Sequence, residues 1–455
     1  MPNRIDVARN KKNKVNRRKA AIFFVPGVMG SRLEFVNTGT FNSYKWDPDS
    51  NYEMVFWIGG DPVKKRNLMH PSKSVRIMTK IKGITEFEET NGYGTVANSF
   101  YLEFLRHMQK YFNDSTVYAV GYDWRQSNWY SAQYLNKVVE NVMKNVKATH
   151  CIFVTHSMGG LVTRTALKQS PAIAAKTLGV VHVVQPAHGA AVAYRRYFTG
   201  ALRAEDGGWG FSKILGNTPD SYTILSSALA GPMELMPTTN YRDLKSDSWI
   251  NFTEKANRTQ IKKWTDGVYV LYKSLDSPPG LMSGSLSANW TPVREECHRL
   301  VDFAENFHNW LGVFKHAKTF AIYSDGSVGG GSGENSKTDI AVQFNFRDRT
   351  YGESLRDKRS TDRTQDMRLG NQGNGYRRAD TAMTRRAEGD STVPAMSGYA
   401  LFPAQLNRKL PAGVRDVRAD QRQFLAAGVP HGDAFLNWDV IRAVAGVGHY
   451  LKTAG

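Results

Sequence analysis

Two patterns of apolar residues alternate along the chain. Continuous runs such as "AIFFVPG" (21–27), "STVYAVGYDW" (115–124), "CIFVTH" (151–156), "LGVVHVVQPAHG" (178–189) and "AKTFAIYSDG" (317–326) have the length of strands buried on both faces. Between them, "SFYLEFLRHMQKYF" (99–112) and "SAQYLNKVVENVMKNV" (131–146) repeat apolar residues at helical spacing. Strands alternating with helices predict an α/β fold around a mostly parallel sheet. From 190 to 315 the periodicity weakens and Gly, Pro and aromatic residues are frequent, which predicts an inserted cap. Residues 326–388 open on "GSVGGGSGENS" and continue with mixed charge, predicting a surface insertion with little core material. No internal repeat is found.

One junction of these elements carries chemistry. "CIFVTHSMGGLV" (151–162) reads as a buried strand, a sharp turn with Ser157 at its apex, and the start of a helix. A nucleophile elbow of the form G-x-S-x-G has this shape, since the strained turn lifts the serine Oγ above the sheet. Here Thr155 stands where the motif wants glycine, and one β-branched residue should shift the packing without removing the turn. An α/β-hydrolase also needs an acid and then a histidine, in that chain order. "AEGDSTVPAMSG" (387–398) supplies Asp390 and "GVPHGDAFLN" (428–437) supplies His431. Asp325 is a rival acid, and His316 and His449 are rival histidines. His156 is expected to diverge from the serine across the turn, and His182 and His188 to be strand-end or loop histidines. The oxyanion hole needs two backbone N–H groups. Met158, after the nucleophile, is one, and Val28 in the glycine-rich loop "FFVPGVMGSRLE" (23–34) is the other. No histidine has companions at metal-ligand spacing, so neither metal nor cofactor is expected.

Charge and composition add context. The chain has 455 residues, 41% of them hydrophobic, and a net charge of +19, which favours anionic partners. Residues 1–19 read as a basic flexible tail, followed by one catalytic domain over 20–455. The tail precedes "AAIFFV", but six apolar residues before Pro26 fall short of the ~7–15 of a signal peptide's core. No segment reaches the ~18 apolar residues of a membrane span. Two cysteines suit a reducing compartment. The protein is therefore expected to be cytoplasmic as synthesised, with any export independent of an N-terminal signal.

The motifs "VPGVMGSRLE", "GYDWR" (121–125), "HSMGG", "QPAHGA" (185–190), "GPMELMP" (231–237) and "GDSTVP" (389–394), with the late His431, occur in order over residues 20 to 440. This set resembles the lecithin:cholesterol acyltransferase and lysosomal phospholipase A2 family. The resemblance implies an α/β-hydrolase acting on lipid esters through an acyl-enzyme on Ser157, with Asp390 and His431 completing the triad and Val28 donating to the oxyanion. Tyr122–Arg125 reads as a structural network beneath the active edge of the sheet. Animal members carry a secretory or lysosomal signal and disulfides in the lid region, and this chain departs from them in both.

The expected function is a lipase or phospholipase A, with a lipid or phospholipid as substrate. An acyltransferase using the same acyl-enzyme, or a phospholipase effector exported without a signal peptide, are alternatives. A binding protein for membrane or nucleic acid on an idle hydrolase scaffold is the reading from another class, and the complete triad argues against it. The segment "YKWDPDSNYEMVFWIGGDP" (44–62) is expected to make transient contact with a membrane surface through Trp46, Phe56, Trp57 and Ile58, or to pack in the core.

Overall fold

The computed structural model describes residues 19–36, 44–201, 208–238, 250–253, 258–260, 290–324, 340–348, 366–368, 379–387 and most of 390–453. The basic tail up to residue 18 and the rival acid Asp325 lie outside the described residues.

In chain order the strands are β1 (Ala20–Val25), β2 (Leu33–Phe35), β3 (Lys45–Trp46), β4 (Val75–Ile77), β5 (Thr116–Ala119), β6 (His150–His156) and β7 (Thr177–Val183). They continue with β8 (Ile250–Thr253), β9 (Arg258–Gln260), β10 (Thr319–Tyr323), β11 (Ile340–Asp348), β12 (Asp366–Arg368), β13 (Ala379–Ala387) and β14 (Gln423–Leu425). Six of them form the central sheet in the order β14-β10-β7-β6-β1-β5, and every pair in it is parallel. With its flanking helices this is the α/β-hydrolase fold.

The unbroken apolar runs follow from burial on both faces of this sheet. Ile22, Phe24, Ile152, Val154, Val181 and Val183 point to one face. There they meet Phe104, Leu105 and Met108 of helix Asn98–Tyr111 and Val440, Val444 and Val447 of helix Trp438–Thr453. Ala21, Phe23, Val25, Cys151 and Phe153, one residue out of step, point to the other face. Leu135 and Val139 of helix Asn128–Asn145, with Val162 and Ala166 of helix Gly159–Gln169, cover that side.

The two stretches expected as separate insertions share one sheet, β12-β13-β11-β8-β9. β8 and β9 come from the 190–315 region, and β11, β12 and β13 come from 326–388. That second stretch therefore contributes three strands to a sheet separate from the central one.

Of the two readings of the 44–62 segment, membrane contact or core, the structure shows Trp46 and Trp57 in the core. The segment forms β3 and the helix Asn51–Gly59, not an interfacial loop. Trp46 and Trp57 are 1% and 0% exposed, so neither can enter a bilayer. Burial is affordable because each indole N–H has a carbonyl: Trp46 donates to Met29 O (3.0 Å) and Trp57 to Lys45 O (2.7 Å). Phe56 and Ile58 are half-buried against the same core. The exposed apolar side chains of this helix are instead Tyr52 (83%) and Val55 (64%). Among the described residues no helix is long and apolar enough to cross a membrane.

Candidate active site

β6 ends at His156, and Ser157 follows with φ +50°, a left-handed conformation that a serine adopts only where the surroundings enforce it. Its N–H extends the ladder to Val183 O (3.0 Å), and helix Gly159–Gln169 begins two residues later. Crowding at this turn falls on the residues after the serine. A Cβ on Gly159 would lie 2.4 Å from Val25 O, and one on Gly160 would lie 2.5 Å from the Gln185 side chain. Position 155 is different. Thr155 is fully buried, and its hydroxyl lies 2.8 Å from His182 Nδ1 on the neighbouring strand. The threonine thus pairs with a polar group on β7 in place of leaving a gap.

Three side chains from distant parts of the sequence meet above the sheet. His431 Nε2 is 2.8 Å from Ser157 Oγ, and His431 Nδ1 is 2.7 Å from Asp390 Oδ2. A carboxylate accepts, so Nδ1 carries the proton and Nε2 is left to accept from the serine hydroxyl. The other carboxylate oxygen, Oδ1, accepts from the N–H groups of Thr392 (3.0 Å) and Val393 (2.6 Å). The His431 N–H donates to Asp390 O (2.8 Å), so the acid and the histidine are joined through backbone as well. Asp390 is buried, and the His431 side chain is 13% exposed.

The loop after β1 faces the serine. A Cβ on Gly27 would stand 3.0 Å from Ser157 Cβ, so only glycine lets the two segments approach this closely. Val28 is next in that loop, and Met158 is the residue that caps the start of the helix. Among the described residues, neither N–H donates to another backbone carbonyl outside regular elements. The loop is fixed from behind, with Tyr122 Oη donating to Pro26 O (2.9 Å) and Ser31 Oγ accepting from Tyr122 N–H (2.9 Å).

The "GYDWR" and "GPMELMP" motifs are explained by this scaffold. Arg125 is fully buried, pairs with both oxygens of Asp123 (2.8 Å each) and donates to Met69 O, His70 O and Lys73 O. It clamps the 69–73 segment onto the sheet. Glu234 accepts from Ser127 Oγ (2.5 Å) and Asn128 N–H (2.8 Å) at the start of helix Asn128–Asn145. Burial pushes its carboxyl up to about 8, against the lowering effect of those hydrogen bonds.

Of the rival histidines, His316 precedes β10 at the opposite end of a parallel strand, and His449 lies in helix Trp438–Thr453 beside Tyr111. His188 is nearly buried, and desolvation followed by repulsion from Arg164 lowers it to about 4. His156 was expected to diverge from the serine across the turn, and its ring makes no hydrogen bond to Ser157. Its ring instead lies 5.1 Å from that of His431, with Nε2 3.0 Å from His431 O and Nδ1 2.8 Å from Tyr101 Oη. The Ser157-adjacent position of His156 was the available signal. Nothing in the pattern of helix Asn98–Tyr111 marks Tyr101 apart from its neighbouring aromatics.

The family model described as lecithin:cholesterol acyltransferase matches residues 32–259, half of the chain. That span includes Ser157 and ends before Asp390 and His431. No curated protein matches in sequence. Among solved structures, the crystal structure of the Tle4-Tli4 complex aligns over 96% of this chain and 99% of its own, at 18% identity and a TM-score of 0.70. Aspergillus fumigatus lipase B aligns over 52% of this chain and 37% of its own, at 12% identity and a TM-score of 0.21, too low to bear on the fold.

Proposed function

We propose that this chain, which belongs to the lecithin:cholesterol acyltransferase family, is a serine-dependent lipid ester hydrolase of lipase or phospholipase A type. Membership makes it a lipid ester hydrolase or an acyltransferase. The observation that carries the finer reading is the unbroken hydrogen-bond chain from Ser157 through His431 to Asp390.

In this reading Ser157 Oγ attacks the ester carbonyl carbon while His431 Nε2 takes the hydroxyl proton. Asp390 holds the imidazole in the Nδ1–H tautomer and stabilises the imidazolium that forms. The Val28 and Met158 N–H groups receive the oxyanion, where one donor is typically worth ~3–4 kcal/mol of transition-state stabilisation. The alkoxide leaves with the proton from His431, and the acyl group stays on Ser157. Water, deprotonated by His431, then releases the carboxylic acid; an alcohol in its place would make the reaction a transfer.

Contact with a lipid surface belongs, in this reading, to Tyr52 and Val55 of helix Asn51–Gly59. Asp49, just before that helix, accepts from the Asn98 and Ser99 N–H groups, and Phe100 lies beside Gly432, next to His431. These contacts link the start of the helix that bears the exposed apolar side chains to the loop that carries His431.

Incubation with a fluorophosphonate probe, followed by mass spectrometry, tests the nucleophile. Label on Ser157 and loss of ester turnover in Ser157→Ala, with the fold retained, are expected. Label on a different serine, or normal turnover in the alanine variant, would refute the reading. Adding an alcohol to the assay separates hydrolysis from transfer by the product formed.

A further inference from the structure

The His156 side chain, at the end of β6, ties the helix that carries Tyr101 to the loop that carries His431. Its Nε2 faces the carbonyl of His431 at 3.0 Å, and a carbonyl only accepts, so Nε2 carries the hydrogen. The ring is buried, and desolvation, then repulsion from His431, lowers it to about 3. It is therefore neutral, and Nδ1 is an acceptor. Tyr101 Oη at 2.8 Å must then donate to Nδ1. Both side chains also pack on the loop after β1: a Cβ on Gly27, the residue against Ser157, would lie 3.1 Å from His156 Nδ1, and one on Gly30 would lie 2.8 Å from Tyr101 Oη. Both hydrogens in this path have one direction: Tyr101 O–H to His156, and His156 N–H to the His431 carbonyl.

We propose that Tyr101 and His156 are positioning residues, a fixed-polarity bridge that holds the His431 backbone and the Gly27–Val28 loop at a set distance from each other. The proposal rests on the catalytic reading of Ser157 and His431 given above. His431 is then gripped at its two backbone groups, its N–H by Asp390 O and its carbonyl by His156. The loop that would bind the oxyanion and the base that would activate the serine are tied to one buried imidazole. Neutrality of that imidazole matters too, because an imidazolium forms on His431 during the reaction only 5.1 Å away, ring to ring.

Packing around the pair is aromatic and survives loss of the hydroxyl. Tyr101 packs at 4.8 Å on Phe24 and 6.0 Å on Phe435, and His156 at 5.5 Å on Phe435. Tyr101→Phe therefore removes one oxygen and leaves the buried His156 Nδ1 without this partner. The assay is hydrolysis of a short-chain p-nitrophenyl ester, with active sites counted by fluorophosphonate labelling so that kcat refers to competent molecules. Tyr101→Phe should lower kcat by about ten- to a hundredfold with KM nearly unchanged, the scale expected when a reacting group is displaced by about 1 Å. His156→Leu should do the same, and His156→Gln, which keeps a donor for the His431 carbonyl, should recover part of the loss. Tyr93→Phe removes a buried phenol oxygen that donates to Leu105 O away from the site, and it should leave kcat unchanged.

A second readout needs no substrate. The proton that His431 Nδ1 shares with Asp390 should give a downfield NMR resonance in the wild type that shifts or broadens in Tyr101→Phe. Unchanged kcat and an unchanged resonance in Tyr101→Phe, or equal losses in Tyr93→Phe, would overturn the bridge. A wild type that neither labels nor turns over ester, yet shows the resonance moving in Tyr101→Phe, would overturn the catalytic reading and leave the bridge standing.

Discussion

Thr155→Val tests what replaces the glycine of the elbow. The substitution keeps size and branching and removes only the hydroxyl, which lies 2.8 Å from His182 Nδ1 between β6 and β7. Both residues are buried, and His182 is lowered to about 3 by desolvation and then by Arg164, so its ring is neutral. Valine would strand that ring nitrogen in a site no water reaches, which costs ~1–3 kcal/mol. Thr155→Gly should cost more: it also loses a buried methyl, ~0.8 kcal/mol, and adds backbone freedom worth ~0.5–1 kcal/mol. Urea unfolding followed by fluorescence gives the ranking, with wild type most stable, then Thr155→Val, then Thr155→Gly. Fluorophosphonate labelling of Ser157 should stay within a few-fold of wild type, because neither change touches the Ser157–His431 contact. A Thr155→Val protein as stable as wild type would show that the hydroxyl contributes nothing. A Thr155→Gly protein more stable than wild type would mean that the Cβ crowds the elbow after all.

Asp390→Asn should lower kcat by about 10⁴ by stabilising the wrong imidazole tautomer, read on a soluble ester with folding checked by circular dichroism; a loss below tenfold would remove Asp390 from the mechanism. Stability should fall on acidification. His156 and His182 are lowered to about 3 and His188 and His308 to about 4, each chiefly by burial. Between those values and 6.5 the unfolded chain binds protons that the folded chain refuses, so stability is present above about pH 6.5 and lost toward pH 4, at up to ~1.4 kcal/mol per pH unit for each histidine. Glu234 acts in the opposite sense, since its folded carboxyl holds a proton up to about 8, and it offsets one of the four below pH 6.5. The urea midpoint should therefore be lower at pH 5 than at pH 7.5, and an equal or higher midpoint would show that these rings are not neutral in the fold. Tyr52→Ser combined with Val55→Ser should reduce hydrolysis of vesicle lipid while sparing a water-soluble ester. Equal effects on both substrates would remove this helix from lipid contact.

The central sheet was legible because strands buried on both faces leave unbroken apolar runs, and β1, β6, β7 and β10 all do. The order of Ser157, Asp390 and His431 was legible because each follows a turn signal near the end of an element. The 44–62 segment misled because indoles have an apolar body and a polar tip, which suits a membrane interface and a core equally. The deciding facts were the carbonyls of Met29 and Lys45, which no local pattern reveals. β8 and β11 were missed for a related reason. They pair with each other across about ninety residues of sequence, and although Ile340, Val342, Phe344 and Phe346 alternate with Ala341, Gln343 and Asn345 along β11, the glycine-rich and charged stretches on either side mask that pattern.

Asp390 and His431 follow a long, compositionally irregular stretch, yet their own loops are fastened to the central sheet. Asp390 stands just before helix Ala395–Tyr399, whose Ser397 Oγ donates to Gly189 O (2.7 Å) and accepts from His188 N–H (3.1 Å). Ala187 N–H also donates to Ser397 O (3.3 Å), so the acid's loop is sewn to the segment that leaves β7. Gly398 lies against Tyr323 at the end of β10, where a Cβ would come within 2.8 Å of the tyrosine Cβ. His431 follows β14, which pairs with β10, and its N–H returns to Asp390 O. The serine, the acid and the histidine therefore hang from the carboxyl ends of β6, β7, β10 and β14, neighbours in one parallel sheet, where open α/β sheets bind their ligands. A Cβ at position 398 would press on Tyr323 and so displace the loop that carries Asp390.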